Sequence, residues 1–297
     1  MIVVLGPASQ DLGRKVADML KSRIVSVIFK TFPDGESSLR LDGDVKGEEV
    51  VIVQTTGPPQ DAHIMQLFLM VDAAKDLGAE RVTAVIPYLA YARQDKRFLP
   101  GEAISIETFI KLIEASGIDR FLTVNIHKED VLKRFSIPAE NLSAITLLAE
   151  HFKNKGLAGA FSLAPDKGAL ELAKEADRVL DGGCGWLRKE RHRLTGEIRV
   201  EEKRFNIEGR DVIVFDDIIS TGGTIAVAVK MLKTQGAKRV YAACAHPLLV
   251  GEARRKIMQG GAEEIVGTDC VSSPVSVVSV APLIAEALAK NRSLKGG

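Results

Sequence analysis

Short runs of Val and Ile alternate with helix-length amphipathic segments from one end of the chain to the other, and this alternation restricts the fold more than any other feature. Apolar runs of four to six residues that do not alternate with polar ones belong to strands buried on both faces, and such strands form mainly parallel sheets covered by helices. Strands are expected at Ile2 to Leu5, Ile24 to Phe29, Ser38 to Leu41, Val50 to Thr55, Arg81 to Ile86 and Phe121 to Val124, with helices over Asp11 to Lys21, Asp61 to Leu77 and Ile104 to Ser116. The stretch after Phe135, SIPAENLSAIT, reads as a loop, and a domain boundary is expected near Ile145. The second half repeats the pattern, with a strand from Ala160 to Ala164, a charged excursion from Arg188 to Glu202, and a strand from Val212 to Phe215.

The halves also resemble each other. Gly78-Ala79-Glu80-Arg81-Val82 follows a helix and enters a strand, and Gly236-Ala237-Lys238-Arg239-Val240 does the same in the second half. Helix C-terminal chemistry alone could produce one such match. A second parallel, Gly117-Ile118-Asp119-Arg120 with Gly261-Ala262-Glu263-Glu264, favours two tandem copies of one α/β unit, residues 1–145 and 146–297, with room for the last helix to pack back on the first.

With 297 residues, both units can bury ordinary cores. Forty basic residues against 39 acidic ones leave a net charge of +1, which gives no global field for nucleic acid or an anionic membrane. Cys184, Cys244 and Cys270 are too few and too scattered for a disulfide framework or a metal cluster, and they read as small buried hydrophobes. The start, MIVVLGPASQ, has no basic segment before its apolar run, and the apolar stretch Pro274 to Ala289 is too short and too interrupted to cross a bilayer. A cytoplasmic protein without membrane or nucleic-acid partners is expected.

The chemistry concentrates where Val212 to Phe215 ends. Asp216 and Asp217 follow directly, then Ser220, Thr221, Gly222, Gly223 and Thr224, then the apolar run Ile225 to Leu232 of a helix. Hydroxyls and unhindered N–H groups at a helix N-terminus make an anion site, and phosphate is its usual occupant. Two carboxylates beside such a site repel phosphate, so they should face sugar hydroxyls, a divalent cation or both. A phosphorylated sugar satisfies all of these groups. The loop is not of the Walker type, because no Lys-Ser/Thr follows the glycines. In the first half the equivalent stretch is Gln54-Thr55-Thr56-Gly57, which keeps hydroxyls and a glycine without an acidic pair.

The Val212 to Thr224 stretch resembles the ribose-phosphate loop of type I phosphoribosyltransferases and of ribose-phosphate pyrophosphokinases (PRPP synthases). Five further motifs stand in the latter family's order: Phe32-Pro33-Asp34-Gly35-Glu36, Tyr91-Ala92-Arg93-Gln94-Asp95-Lys96, Asn125-Ile126-His127, Ala164-Pro165-Asp166 and Lys189-Glu190-Arg191. The resemblance spans nearly the whole chain. It implies two phosphoribosyltransferase-type (Rossmann-like) domains, each with a mainly parallel sheet flanked by helices, and diphosphoryl transfer from MgATP to ribose 5-phosphate. It places ATP on Phe32, Asp34, Glu36, Arg93, Gln94, Asp95 and His127, with the Phe32 turn reaching across a subunit interface, so that at least a homodimer is implied. Ribose 5-phosphate falls to Asp216, Asp217 and Ser220 to Thr224, Mg2+ to His127 and Asp166, and transition-state charge to Lys189 and Arg191. Arg93 also has independent sense, because a guanidinium fork binds phosphate oxygens bidentately. Mg2+ prefers oxygen, which makes Asp166 an easier ligand than His127. A phosphoribosyltransferase that consumes PRPP would share the sugar-phosphate loop without needing the Arg93-Gln94-Asp95 segment. A non-catalytic homologue should have lost the Lys-Glu-Arg triplet or an acidic residue. Two departures stand out: Ser220 occupies a position where many members have Asp, and the connection KRFLPGEAIS is less basic than that of many bacterial and animal members and looks closer to archaeal forms.

Overall fold

The computed structural model describes residues 1–187, 189–191, 198–200 and 205–293, with 189–191, 198–200 and 291–293 described as backbone only. The chain forms two compact units. One comprises Met1–Leu142 and the stretch from Ser279 onward, and the other comprises Ser143–Val278.

In the first unit, strands β1 (Ile2–Leu5), β2 (Arg23–Thr31), β3 (Ser37–Asp42), β4 (Glu49–Val53), β5 (Arg81–Ile86), β6 (Arg120–Val124) and β7 (Ala139–Leu142) make one sheet in the order β3-β2-β1-β4-β5-β6-β7. All neighbours are parallel except β2 and β3, which form an antiparallel hairpin. Val50 to Val53 are fully buried because helices cover both faces of the sheet. Helices α1 (Gln10–Leu20), α2 (Gln60–Asp76) and α3 (Ser105–Ala115) turn Leu12 and Val16, Leu67 and Met70, and Ile106 and Ile113 inward, at helical spacing. The strand β7 corrects the loop reading of Ala139 to Leu142. AENL carries little strand propensity, and its pairing with Phe121 to Val124 at the sheet margin, not its composition, makes it a strand.

In the second unit, α4 (Ile145–Phe152) and α5 (Leu170–Leu180) flank β8 (Phe161–Ala164) and β9 (Cys184–Trp186). A backbone ribbon of β10 (Lys189–Arg191) and β11 (Ile198–Val200) is antiparallel and separate from the main sheet. Then follow β12 (Asp211–Ile219), α6 (Gly223–Thr234), β13 (Arg239–Pro247), α7 (Ala253–Gln259), β14 (Glu264–Thr268) and β15 (Ser276–Val278). The sheet order is β15-β14-β13-β12-β8-β9, with every pairing parallel. Matching β8 with β1, β9 with β2 and β12 to β15 with β4 to β7 superimposes this order on that of the first unit, so the two units share one topology. Phe152 fixes the core here, edge-on to both Phe215 and Tyr241.

The final helix, α8 (Ala281–Ser293), returns to the first unit and packs against α1, with Ile284 and Leu288 buried.

One ion pair ties the starts of two central strands in the second unit. Arg239 Nε and Nη2 donate to Asp211 Oδ1 and Oδ2, each at 2.8 Å. The guanidinium holds the Asp211 carboxyl below the usual carboxylate range. A depressed carboxylate contributes stability above its unfolded value, about 3.9, and loses it as pH falls through the folded value. Asp211→Asn should therefore lower the melting temperature at pH 7 and leave it unchanged in strong acid, which thermal unfolding across pH would check.

Candidate functional site

The two units place the sequence motifs at the C-terminal ends of their parallel strands, where α/β sheets gather ligands. In the second unit, β12 runs fully buried from Val212 to Phe215, and its chain then emerges so that Asp216 and Asp217 are half-buried. Asp166 follows the neighbouring strand β8 and caps the next turn, its Oδ1 accepting from Gly168 N at 2.8 Å and Ala169 N at 3.3 Å. Burial pushes the Asp216 carboxyl well above the ordinary range, and the charges of Asp217 and Asp166 push it in the same direction. The three carboxylates thus form one electrostatic cluster. Asp216 Oδ1 accepts from Asp217 N at 3.0 Å, and Asp217 Oδ1 accepts from Ile218 N at 2.9 Å, which fixes both side chains against the strand end. Cys244 lies beside Asp216 in the register of β13, fully buried, and burial raises its thiol as well.

The loop after β12 leads into the N-terminus of α6. Gly222 adopts φ +74°, a conformation that glycine reaches without strain. A Cβ there would sit 2.9 Å from Ala253 O, whereas one on Gly223 would meet nothing within 4 Å. The loop is therefore pressed against the first residue of α7 on one side and open on the other. Val250 N donates to Ser220 O at 3.0 Å and Leu249 N to Ile219 O at 3.0 Å, fixing its course. The first turn of α6 presents N–H groups that have no partner within the helix. Hydroxyls, open backbone and a dipole end lie beside a carboxylate cluster, an arrangement suited to a phosphate on one side and hydroxyl groups or a cation on the other.

In the first unit, β5 delivers Arg93, Gln94 and Asp95, and the adjacent β6 delivers His127. Arg93 and His127 are exposed. Gln94 Nε2 donates to Lys96 O at 3.1 Å. Arg134, which carries no sequence signal, holds the segment from outside by donating to Asp95 O at 3.0 Å and pairing with Glu107 at 3.0 Å. His127 follows Asn125 and Ile126, whose backbone N–H groups donate to Leu142 O at 2.8 Å and Asn141 Oδ1 at 2.9 Å. The structure does not gather the Phe32 turn into this group. It lies at the tip of the β2–β3 hairpin, and β2 is three strand spacings from β5, roughly 14 Å. The tip is closed by Phe32 N donating to Glu36 O at 2.8 Å and Glu36 N to Asp34 Oδ1 at 3.2 Å. Lys30 Nζ sits 4.8 Å from the centre of the exposed Phe32 ring. The side chains of Lys189 and Arg191 lie outside the described residues.

A family model for the N-terminal domain of ribose phosphate pyrophosphokinase matches residues 1–117, and one for the phosphoribosyl transferase domain matches residues 136–279. The ribose-phosphate pyrophosphokinase of Methanobrevibacter smithii is 42% identical, over 97% of this chain and 99% of its own length. The chain belongs to the ribose-phosphate pyrophosphokinase family. The member from Methanothermobacter thermautotrophicus is 43% identical over 95% of this chain and 97% of that protein. Among solved structures, phosphoribosylpyrophosphate synthetase from Mycobacterium smegmatis matches with a TM-score of 0.87 at 29% identity, covering 100% of this chain and 99% of that one. Such coverage assigns the fold of the family to both units, including a first unit that a lone phosphoribosyltransferase domain would lack.

Proposed function

We propose that the protein is a ribose-phosphate diphosphokinase, converting ribose 5-phosphate and MgATP to 5-phosphoribosyl 1-diphosphate and AMP. The observation that carries this reading is the divergence of two units with one topology. Only the second keeps the acidic pair beside an open hydroxyl-glycine loop, while the first presents Arg93 and Gln94 at the corresponding end of its sheet. A phosphoribosyltransferase that consumes PRPP has no use for the first unit.

On this reading Ser220 to Thr224 hold the 5-phosphate, and Asp216 and Asp217 accept hydrogen bonds from the ribose 2- and 3-hydroxyls. Arg93, Gln94 and His127 receive the nucleotide's phosphates, and Asp95 beside them belongs to the same ATP-binding segment. Phe32 of a neighbouring copy stacks on the adenine, with Asp34 or Glu36 accepting from its amino group, so the active assembly is at least a dimer. The ribose 1-hydroxyl oxygen bonds to the β-phosphorus, the bond from that phosphorus to the α,β-bridging oxygen breaks, AMP departs with the electron pair, and the hydroxyl proton passes to solvent. Positioning and fixed positive charge supply the acceleration, with Lys189 and Arg191 stabilising the charge that shifts between oxygens.

Mg2+ fits the donor chemistry. Asp166 offers a hard oxygen within a carboxylate cluster whose mutual repulsion a divalent cation relieves, and His127 can hold a metal-bound water. Among the described residues no three His, Cys, Asp or Glu side chains form a closed metal cage. Mg2+ typically takes only one or two protein carboxylates and completes its shell with phosphate and water oxygens. When bound, it neutralises phosphate charge. No described helix is long and apolar enough to cross a membrane. A cytoplasmic enzyme whose partners are its two substrates and further copies of itself accounts for these features.

Incubation with MgATP and ribose 5-phosphate should release AMP in step with PRPP. Nucleotide formation from PRPP and a free base, without AMP release, would move the assignment to the phosphoribosyltransferases. Neither product would indicate a non-catalytic homologue.

A further inference from the structure

The first unit's counterpart of the sugar-phosphate loop, Gln54 to Gly57, keeps the residue types of an anion site, but its polar groups are turned inward. Gln54 is fully buried, with Oε1 accepting from Ala8 N at 3.0 Å and Nε2 donating to His63 O and Gln66 Oε1, both at 3.2 Å. A Cβ on Gly6 would lie 2.3 Å from that Oε1, so the loop after β1 is pressed onto the loop after β4. Thr55 N donates to Ser9 Oγ at 2.8 Å. The pocket that stays open in the second unit is closed here by the protein itself.

Thr56 does more than close it. The side chain is fully buried, and its hydroxyl donates to Tyr88 O at 2.8 Å while accepting from Ala90 N at 2.8 Å. Its own N–H donates to Tyr88 O at 3.0 Å. Three hydrogen bonds from one residue thus clamp the backbone that leaves β5, immediately before Arg93. Five residues along from Thr56, Asp61 in the first turn of α2 accepts from the Tyr91 hydroxyl. Tyr91 stands at φ +63°, a strained conformation for a bulky residue, which persists only where the surroundings enforce it. Its ring packs edge-on to Phe109 with centroids 6.4 Å apart. The Asp61 carboxylate also raises the Tyr91 hydroxyl, which keeps it the proton donor.

We propose that the degenerate loop has become a positioning device, in which Thr56 and the Asp61–Tyr91 hydrogen bond set where Arg93 and Gln94 meet the phosphates of the nucleotide. The proposal rests on the reading of Arg93 and Gln94 as ATP-binding residues. Thr56 and Asp61 touch no substrate and act through the Tyr88 to Arg93 backbone.

The test is binding of α,β-methylene-ATP with Mg2+, measured by titration calorimetry, together with KM for each substrate in Thr56→Val, Thr56→Ser and Tyr91→Phe. Thr56→Val and Tyr91→Phe should each weaken analogue binding and raise KM for ATP about five- to tenfold, the effect of losing one hydrogen bond. KM for ribose 5-phosphate should stay within about twofold. Thr56→Ser, which keeps the hydroxyl, should bind like the parent. Unchanged analogue binding in folded variants, or equal losses for both substrates, overturns the proposal. If Thr56→Val does not fold, Tyr91→Phe decides alone, since Tyr91 is exposed and its ring contact is retained. A parent protein that neither binds the analogue nor releases AMP removes the functional reading itself, and the positioning role falls with it.

Discussion

Asp216→Asn should yield a protein that melts about 2–4 °C higher near neutral pH and has a kcat/KM for ribose 5-phosphate roughly 100-fold lower. The gain and the loss have one cause. Asp216 sits half-buried beside Asp217 and Asp166, and burial with their charges raises its carboxyl well above the ordinary range. A carboxyl raised in the fold binds a proton more tightly there than in the unfolded chain, so stability falls as pH rises from the unfolded value, about 3.9, through the folded value. Above the folded value the full penalty is present, and the amide removes it. The amide oxygen of the variant can still accept from Asp217 N, so the strand end keeps its geometry. What disappears is the charge that strengthens hydrogen bonds to the ribose hydroxyls, each worth about 1.5–3 kcal/mol. The melting-temperature gap should close as pH approaches 4, and Mg2+ with ribose 5-phosphate should raise the melting temperature of the parent more than that of the variant. A variant no more stable than the parent at pH 7 would remove the claim that the acidic cluster is strained.

Gly222→Ala is expected to raise KM for ribose 5-phosphate about 10–30-fold and to destabilise the protein by about 1–3 kcal/mol. The left-handed backbone at φ +74° accounts for part of the loss, and the 2.9 Å approach of the new Cβ to Ala253 O for the rest. Relief requires the loop to move away from α7, which displaces the N–H groups at the start of α6. Gly223→Ala is the control, since its Cβ would enter open space. It should fold as well as the parent, and any loss of affinity there would come from crowding the phosphate directly. Urea unfolding and steady-state kinetics separate the two effects. Equal KM values for the parent and Gly222→Ala would show that the loop does not hold the phosphate.

The strand-helix alternation was legible because buried parallel strands such as Val50 to Val53 admit almost no polar residue. The acidic pair was legible because it interrupts such a run. Strand β7 was not, since AENL owes its conformation to its neighbour β6 and not to its side chains. The fate of Gln54 to Gly57 was also hidden. Its residue types fit an anion loop, and only partners more than 30 residues away, Tyr88 and Ala90, reveal that Thr56 is spent on the backbone. Arg134 lacked any signal for the same reason: its partners Asp95 and Glu107 are remote in sequence. The acidic cluster of Asp166, Asp216 and Asp217 was half-visible. The pair was plain, but the third carboxylate joins only because β8 and β12 are sheet neighbours.

The return of α8 to α1 has a consequence for biogenesis. The first unit is synthesised first, yet one of its helices leaves the ribosome only after every element of the second. During translation α1 must wait without its partner α8 while the whole second unit is made. The unit that is begun first is thus completed last, and a stop after Val278 should leave Ser143–Val278 folded beside a partner prone to proteolysis and aggregation. Chains that stop before α8 should therefore lack the packing partner of α1 in the first unit.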